Sequence, residues 1–255
     1  MSSPWQLYDE LIAGIPEEPT VVSYQGGYNW SRVLSSEGSV GLAMTIPVTT
    51  RPALFKGESL TGLPLRRAAE LVKSWNYVEA AIGLAAINSW YNQPQRAERC
   101  GFIHPEVSDQ VREAFDVYAE EVQGKKVTIV GHFPFIEKRF AGRCTLSILE
   151  RAPEMGEYPD PACEYILPEQ DYVFITGSTF VNKTLPRLLE LSRQARVVLV
   201  GPSTPLAPLL FERGVYGLSG FVTTDPERLE NALRGASSMT LFQAGWMVDQ
   251  IRAKR

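Results

Sequence analysis

Cysteine and histidine are scarce in this chain of 255 residues: Cys100, Cys144 and Cys163 are the only thiols, and His104 and His132 the only imidazoles. An odd, dispersed set of cysteines without CxxC spacing excludes a disulfide framework and the usual structural zinc signature, and it fits a reducing cytoplasm. Long apolar runs are missing too; none approaches the roughly 18 residues that span a bilayer. The amino end, MSSPWQLYDELIAGIP, has neither the basic region nor the apolar core of a signal peptide. Basic charge is not in excess: 25 Lys and Arg against 29 Asp and Glu give a formal net charge of −4, which argues against nucleic acid as the main partner. The chain carries no internal repeat and no low-complexity segment. These absences point to a soluble, cytoplasmic protein without a membrane partner; a homo-oligomer stays open.

What is present suits a globular α/β protein. Hydrophobic residues make up 44% of the chain and the length allows two modest domains. Trp5, Leu7, Tyr8, Leu11 and Ile12 share a helical face that ends at Gly14 and Pro16. Val21–Tyr24, Tyr28–Leu34 and Val40–Ile46 are β-rich runs separated by Gly26-Gly27 and Glu37-Gly38, the pattern of a three-stranded antiparallel meander. Helices are expected over Leu63–Trp75, with Pro64 near the first turn, and over the Ala-rich Tyr77–Trp90. This αβββαα unit is followed by a loop over 96–105 and a charged, amphipathic helix over 107–122.

From Lys125 onward strands and helices alternate, which means a mostly parallel sheet. Val127–Val130, Thr145–Leu149, Tyr172–Ile175, Val197–Val200, Phe221-Val222 and Met239–Phe242 read as strands, and 153–168, with its four prolines, as a surface connection. Leu185, Leu188, Leu189 and Ser192 mark a crossover helix; another is expected from Pro205 to Glu212, capped by Thr204, and a third after Asp225.

In an open α/β sheet, ligands sit where strand carboxyl ends meet helix starts. The loops there are Gly131-His132-Phe133-Pro134, then Thr176, Gly177, Ser178 and Thr179 running on to Asn182 and Thr184, and Gly201-Pro202-Ser203-Thr204. The first lacks two glycines of the G-x-G-x-x-G fingerprint and is crowded by Phe133 and Pro134, so no NAD site is expected. His132 could ligate a metal or exchange a proton, or simply bond the backbone of its loop. The hydroxyls and amide of 176–184 could cradle an anion, although Asn182 or Thr184 could also be no more than a helix cap. Ser203 and Thr204 carry the same ambiguity. Glu79 and Asn88, nine residues apart on one helix, point in opposite directions; Asn88 is the one expected as a buried polar contact.

LTGLPLRRAAELVKSWNYVEAAIGLAAINSWYN, VGHFPF, LSILE, DYVFITGSTFVNKTLPRLLELSR and VGPSTPLAPLLFERG, in that order, resemble the bacterial and archaeal family called the putative heavy-metal chelation family. The resemblance covers nearly the whole chain. It implies an N-terminal α+β domain similar to the N-terminal domain of enolase (residues 1–105), a helical connection (106–124) and a Rossmann-like three-layer domain (125–255). It also implies a site in the cleft between the domains, which on this chain Asn88, His132, the 176–184 loop and Ser203-Thr204 would line, with His132 as the metal ligand. Binding of a metal ion or a metal-bearing small ligand is the leading expectation. An enzyme acting on a small anionic metabolite with His132 as acid/base, and a regulatory module closing on a ligand, are the alternatives.

Overall fold

A computed structural model describes residues 3–48, 50–55, 58–102, 114–133, 136–235 and 238–252. Helix α1 (Gln6–Ala13) buries Leu7, Tyr8, Leu11 and Ile12, the face its periodicity marks. Strands β1 (Val21–Gln25), β2 (Trp30–Ser35) and β3 (Val40–Met44) pair antiparallel in chain order, the meander that the two glycine turns predict. The helix expected over Leu63–Trp75 divides into α2 (Leu65–Ala69) and a 3₁₀ turn over Glu70–Lys73.

Helix α3 (Tyr77–Tyr91) starts at Asn76, whose side chain accepts the backbone N–H groups of Val78 and Glu79. From Glu79 to Tyr91 every residue is buried, as befits a helix apolar on all sides. Small residues allow this. A Cβ on Gly41 of β3 would lie 2.1 Å from both the Ala85 oxygen and the Ser89 nitrogen, so strand and helix meet main chain to main chain. Part of the loop expected at 96–105 is instead helix α4 (Pro94–Arg99), with proline in its first turn. The amphipathic helix expected over 107–122 is also corrected: Ala114–Tyr118 is 3₁₀ and 119–122 is turn, while 107–113 lie outside the described residues.

The second half builds a seven-stranded sheet from β4 (Lys126–Val130), β5 (Thr145–Glu150), β6 (Tyr158–Pro159), β7 (Tyr172–Thr176), β8 (Arg196–Val200), β9 (Val215–Thr223) and β10 (Gly245–Ile251). Its order is β10-β9-β8-β7-β4-β5-β6, and only β10 runs antiparallel. Between the strands lie α5 (Ile136–Phe140), α6 (Cys163–Ile166), α7 (Leu185–Leu191), α8 (Leu209–Glu212) and α9 (Pro226–Arg234). The chain lays down β4, β5 and β6 toward one edge and then returns to the other side of β4 to place β7. The topological switch point therefore lies between β4 and β7.

Three expectations fail here for local reasons. Met239–Phe242 belongs to a 3₁₀ turn, Ser238–Gln243, and the last strand follows it as β10. The 153–168 connection contains β6 and α6. Thr204 caps no helix, because α8 starts only at Leu209; Thr204 is instead fully buried in the loop after β8.

One apolar cluster runs from α1 and α3 into β7, β8 and β9, so the two sheets share a core. The polar tie across it comes from Asn88 in α3 and, one turn on, Asn92 at the helix's C-cap. Asn88 Nδ2 donates to the carbonyls of Leu42 (2.7 Å) and Ser203 (3.1 Å). Asn92 Nδ2 donates to those of Thr204 (3.0 Å) and Phe221 (3.1 Å), while its Oδ1 accepts from the Leu206 N–H (2.9 Å). Asn92→Ala strands three buried backbone groups and is expected to cost about 3 kcal/mol in urea unfolding; a loss below about 1 kcal/mol would show that the tie is dispensable.

Candidate functional site

Because β4, β7 and β8 are adjacent and parallel, the loops that follow them leave the same edge of the sheet. The end of β3 and the residues after it, Met44 to Pro47, face that edge across a cleft of about 860 Å³. Trp30, Met44, Ile46, Pro47, Phe133 and Phe242 give the cleft apolar surface. Thr176, Ser178, Thr179, Asn182, Thr184 and Ser203 give it hydroxyls and an amide. The candidates Asn88, Gly177 and Thr204 are not on its wall; they lie behind it, buried. His104 lies outside the described residues.

Gly177 is where the β7 loop and the β8 loop touch. A Cβ there would meet the Ser203 carbonyl carbon and the Thr204 nitrogen at 2.6 Å, backbone that cannot step aside. Ser203, in turn, ties the loop to β3: its Oγ accepts the Met44 N–H at 2.8 Å, and its carbonyl takes the Asn88 amide already described. As an acceptor in that bond, the Ser203 hydroxyl keeps its own proton for a ligand.

Much of the polar capacity of 176–184 is spent within the loop. Thr179 Oγ1 donates to the Thr176 carbonyl (2.7 Å), and Thr176 Oγ1 meets Ser178 Oγ (3.2 Å). Neither Asn182 nor Thr184 caps α7 through its side chain. Asn182 Oδ1 instead accepts the N–H (3.0 Å) and the hydroxyl (2.6 Å) of Thr184, folding a tight Asx turn. The anion cradle is thus leaner than the residue types suggest, with the Asn182 amino group and the Ser203 hydroxyl as its principal donors.

His132 stands at the mouth, its side chain 45% exposed. Its Nδ1 is 3.4 Å from Oε1 of Glu157, a carboxylate whose side chain is only 6% exposed and whose Oε2 accepts the Glu154 N–H at 2.8 Å. A carboxylate beside Nδ1 favours the tautomer protonated there and leaves the Nε2 lone pair as the ligand or base. Glu157 comes from the proline-rich segment that carries no periodic pattern, so nothing in the sequence pairs it with His132.

Lys183 is the other residue that sequence reasoning passes over. Among the described residues it is the one non-glycine with positive φ, +66°, a conformation that costs a side chain about 1 kcal/mol. The Asx turn around it holds it there. Its Nζ donates to the carbonyls of Ser74 and Val181 and lies 5.6 Å from the ring centres of Trp75 and Tyr77. Among the described residues no carboxylate pairs with it, and burial pushes its amine down to about 7. At the rim Arg187 pairs with Glu164 at 2.6 Å and Arg151 with Asp160 at 3.2 Å, while the Glu150 carboxylate accepts the Arg151 N–H at 2.7 Å.

The described residues contain no group of three or more His, Cys, Asp and Glu side chains placed to hold a metal ion. Cys163 lines the cleft, and Cys100, Cys144 and Cys163 are all free thiols. Burial raises the pKa of Cys163, away from the thiolate that a soft metal needs. A protein-only site for a heavy metal does not fit this donor set.

Comparison with known proteins decides the family. A family model named DUF364 and described as putative heavy-metal chelation matches residues 113–251, more than half of the chain. The chain belongs to the DUF364 family. A second model, DUF4213, with the same description, matches residues 8–91. A crystal structure of a DUF364 protein of unknown function from Desulfitobacterium hafniense DCB-2 is 49% identical, covers 98% of both chains and superposes with a TM-score of 0.87. A second DUF364 structure of unknown function, from Pyrococcus horikoshii, is 21% identical, covers 98% of this chain and 99% of its own, and shares the fold with a TM-score of 0.78. An uncharacterized protein of Methanocaldococcus jannaschii is 27% identical over 91% of this chain and 90% of its own length. The mixed α/β fold of this DUF364 chain, with its large parallel and small antiparallel sheets, is that of the family's solved structures.

The contact between the β7 and β8 loops gives a direct test of the cleft's construction. Gly177→Ala is expected to lower stability by about 2 kcal/mol, read as a fall in the thermal midpoint, because backbone on both sides must shift. A midpoint unchanged within error would mean that the loops are not in contact there.

Proposed function

We propose that this DUF364 protein is a soluble, cytoplasmic binder of metal complexes: it takes up a heavy-metal ion already carried by a small chelator, in the cleft between an enolase N-terminal-like domain and a Rossmann-like domain that divide near residues 106–124. The family description supports the metal. The division into domains draws support from the two separate sheets and from the strand order, which turns back at β4 as in doubly wound nucleotide-binding folds.

The observation that carries the reading is one imidazole, backed by a buried carboxylate, at the mouth of a roomy cleft in which the described residues form no group of three or more His, Cys, Asp and Glu placed to hold a metal. A single imidazole cannot fill the four or more positions of a transition metal, so the remaining donors come with the cargo. The apolar surface of Met44, Ile46, Phe133 and Phe242 would take the chelator's carbon framework, and the Ser203 hydroxyl and Asn182 amide its oxygen donors. The same His132–Glu157 pair also favours a second reading, an enzyme acting on a small anionic metabolite with Nε2 as general base.

Untagged protein purified without chelators should, in native mass spectrometry, carry mass exceeding a bare ion, with a metal identified by elemental analysis. His132→Ala should lose the metal, and Glu157→Gln should weaken its binding by about tenfold or more. In calorimetry, Ni(II)–citrate should bind more tightly than Ni(II) alone. A metal-free anion retained equally by His132→Ala would overturn the metal reading, and turnover of that anion abolished in the variant would establish the second.

A further inference from the structure

Lys183 has a setting that binding of a metal complex does not require. Elsewhere in the chain Lys73 is paired with Asp9 and Glu70, and Lys126 with Glu169. Lys183 has no such partner among the described residues and lines the cleft from a strained backbone position. We propose that Lys183 is a nucleophilic amine that condenses with an aldehyde or ketone carbon of a small ligand in the cleft to form an imine.

The geometry suits that role. The two carbonyls of Ser74 and Val181 come from distant stretches of chain, one before α3 and one in the β7–α7 loop. A neutral amine has two N–H groups; given to those two carbonyls, they leave its lone pair directed away from both. The rings of Trp75 and Tyr77 lie beside it, each centred 5.6 Å from Nζ, and a desolvated amine is how lysine becomes nucleophilic near neutral pH. The charged and titratable groups on the surrounding elements do not reverse this. Glu79 is engaged by the Phe55 N–H and the Ser74 hydroxyl, Arg151 stands over the Tyr77 ring at 5.9 Å, and Arg187 is committed to Glu164 and Glu190. Burial alone accounts for the lowered pKa of Lys183.

The step balances without an oxidant or reductant. Nζ attacks the carbonyl carbon and the N–C bond forms; the amine gives up its two protons to the former carbonyl oxygen, and the C–O bond breaks to release water. The proposal shares the cleft with the metal reading but needs neither His132 nor a metal, so each can fail alone.

The test uses the full-length protein with pyridoxal as the aldehyde and cyanoborohydride to fix any imine, followed by peptide mass mapping across pH 6 to 10. An amine titrating near 7 is mostly neutral at about pH 7.5, whereas an ordinary lysine is about one part in a thousand neutral there, so Lys183 should be labelled at least about tenfold faster than Lys126. Its rate should level off above about pH 8. Lys183→Gly, which the positive φ tolerates, should keep the circular dichroism of the parent and lose this fast adduct. His132→Ala should label like the parent. Lys183 labelled no faster than Lys126, or still gaining rate at pH 10, would overturn the proposal.

Discussion

The cleft exists because α3 holds two sheets in register. Asn88 and Asn92 reach from that helix and its C-cap to the Leu42 carbonyl at β3 and to the main chain at 203, 204, 206 and 221 on the large sheet. Each bond is a modest net gain, but each left unmade in this dry interior costs more than it gives. The five bonds therefore act less as adhesive than as a specification of position. They set the β8 loop against β3, which lets Ser203 take the Met44 N–H and places the end of β3 opposite the sheet edge.

That rigid frame contrasts with the economy of the site. Most side-chain oxygens in the 176–184 loop satisfy their own turn, leaving a few donors, an imidazole with a carboxylate behind it and a lysine without a carboxylate partner among the described residues. Such a site offers orientation and one or two strong interactions, not a complete coordination sphere. A ligand that brings its own donors complements it; a bare soft ion does not.

Much of this could be read from residues alone, and the rest shows where periodicity ends. The buried strands β7 and β8 carry unbroken apolar runs and β4 one interrupted only by the β-branched Thr128, so the three loops that follow them could be placed at one edge in advance. Only Phe221-Val222 of β9 was readable, because Gly217 and Gly220 interrupt it, and β10 alternates imperfectly as a half-exposed edge strand with Asp249 and Gln250 among its apolar residues. Thr204 looked like a cap since threonine before proline is a helix start, yet burial of the Thr204 loop under α3 delays the helix to Leu209. Glu157 and Lys183 were invisible for a different reason. One is joined to His132 only by the return of an aperiodic segment, and the other is distinguished by a backbone angle and by carbonyls from two distant stretches.

The central claim is that the metal is held by one protein imidazole and otherwise by donors of its own carrier. X-ray absorption at the metal edge of the natively loaded protein tests it most directly, since thiolate sulfur lies near 2.3 Å and nitrogen or oxygen donors near 2.0–2.2 Å for zinc. The account requires a shell of nitrogen and oxygen with the outer-shell scattering of a single imidazole, lost in His132→Ala. Two or more sulfur scatterers, or several imidazoles, would contradict it.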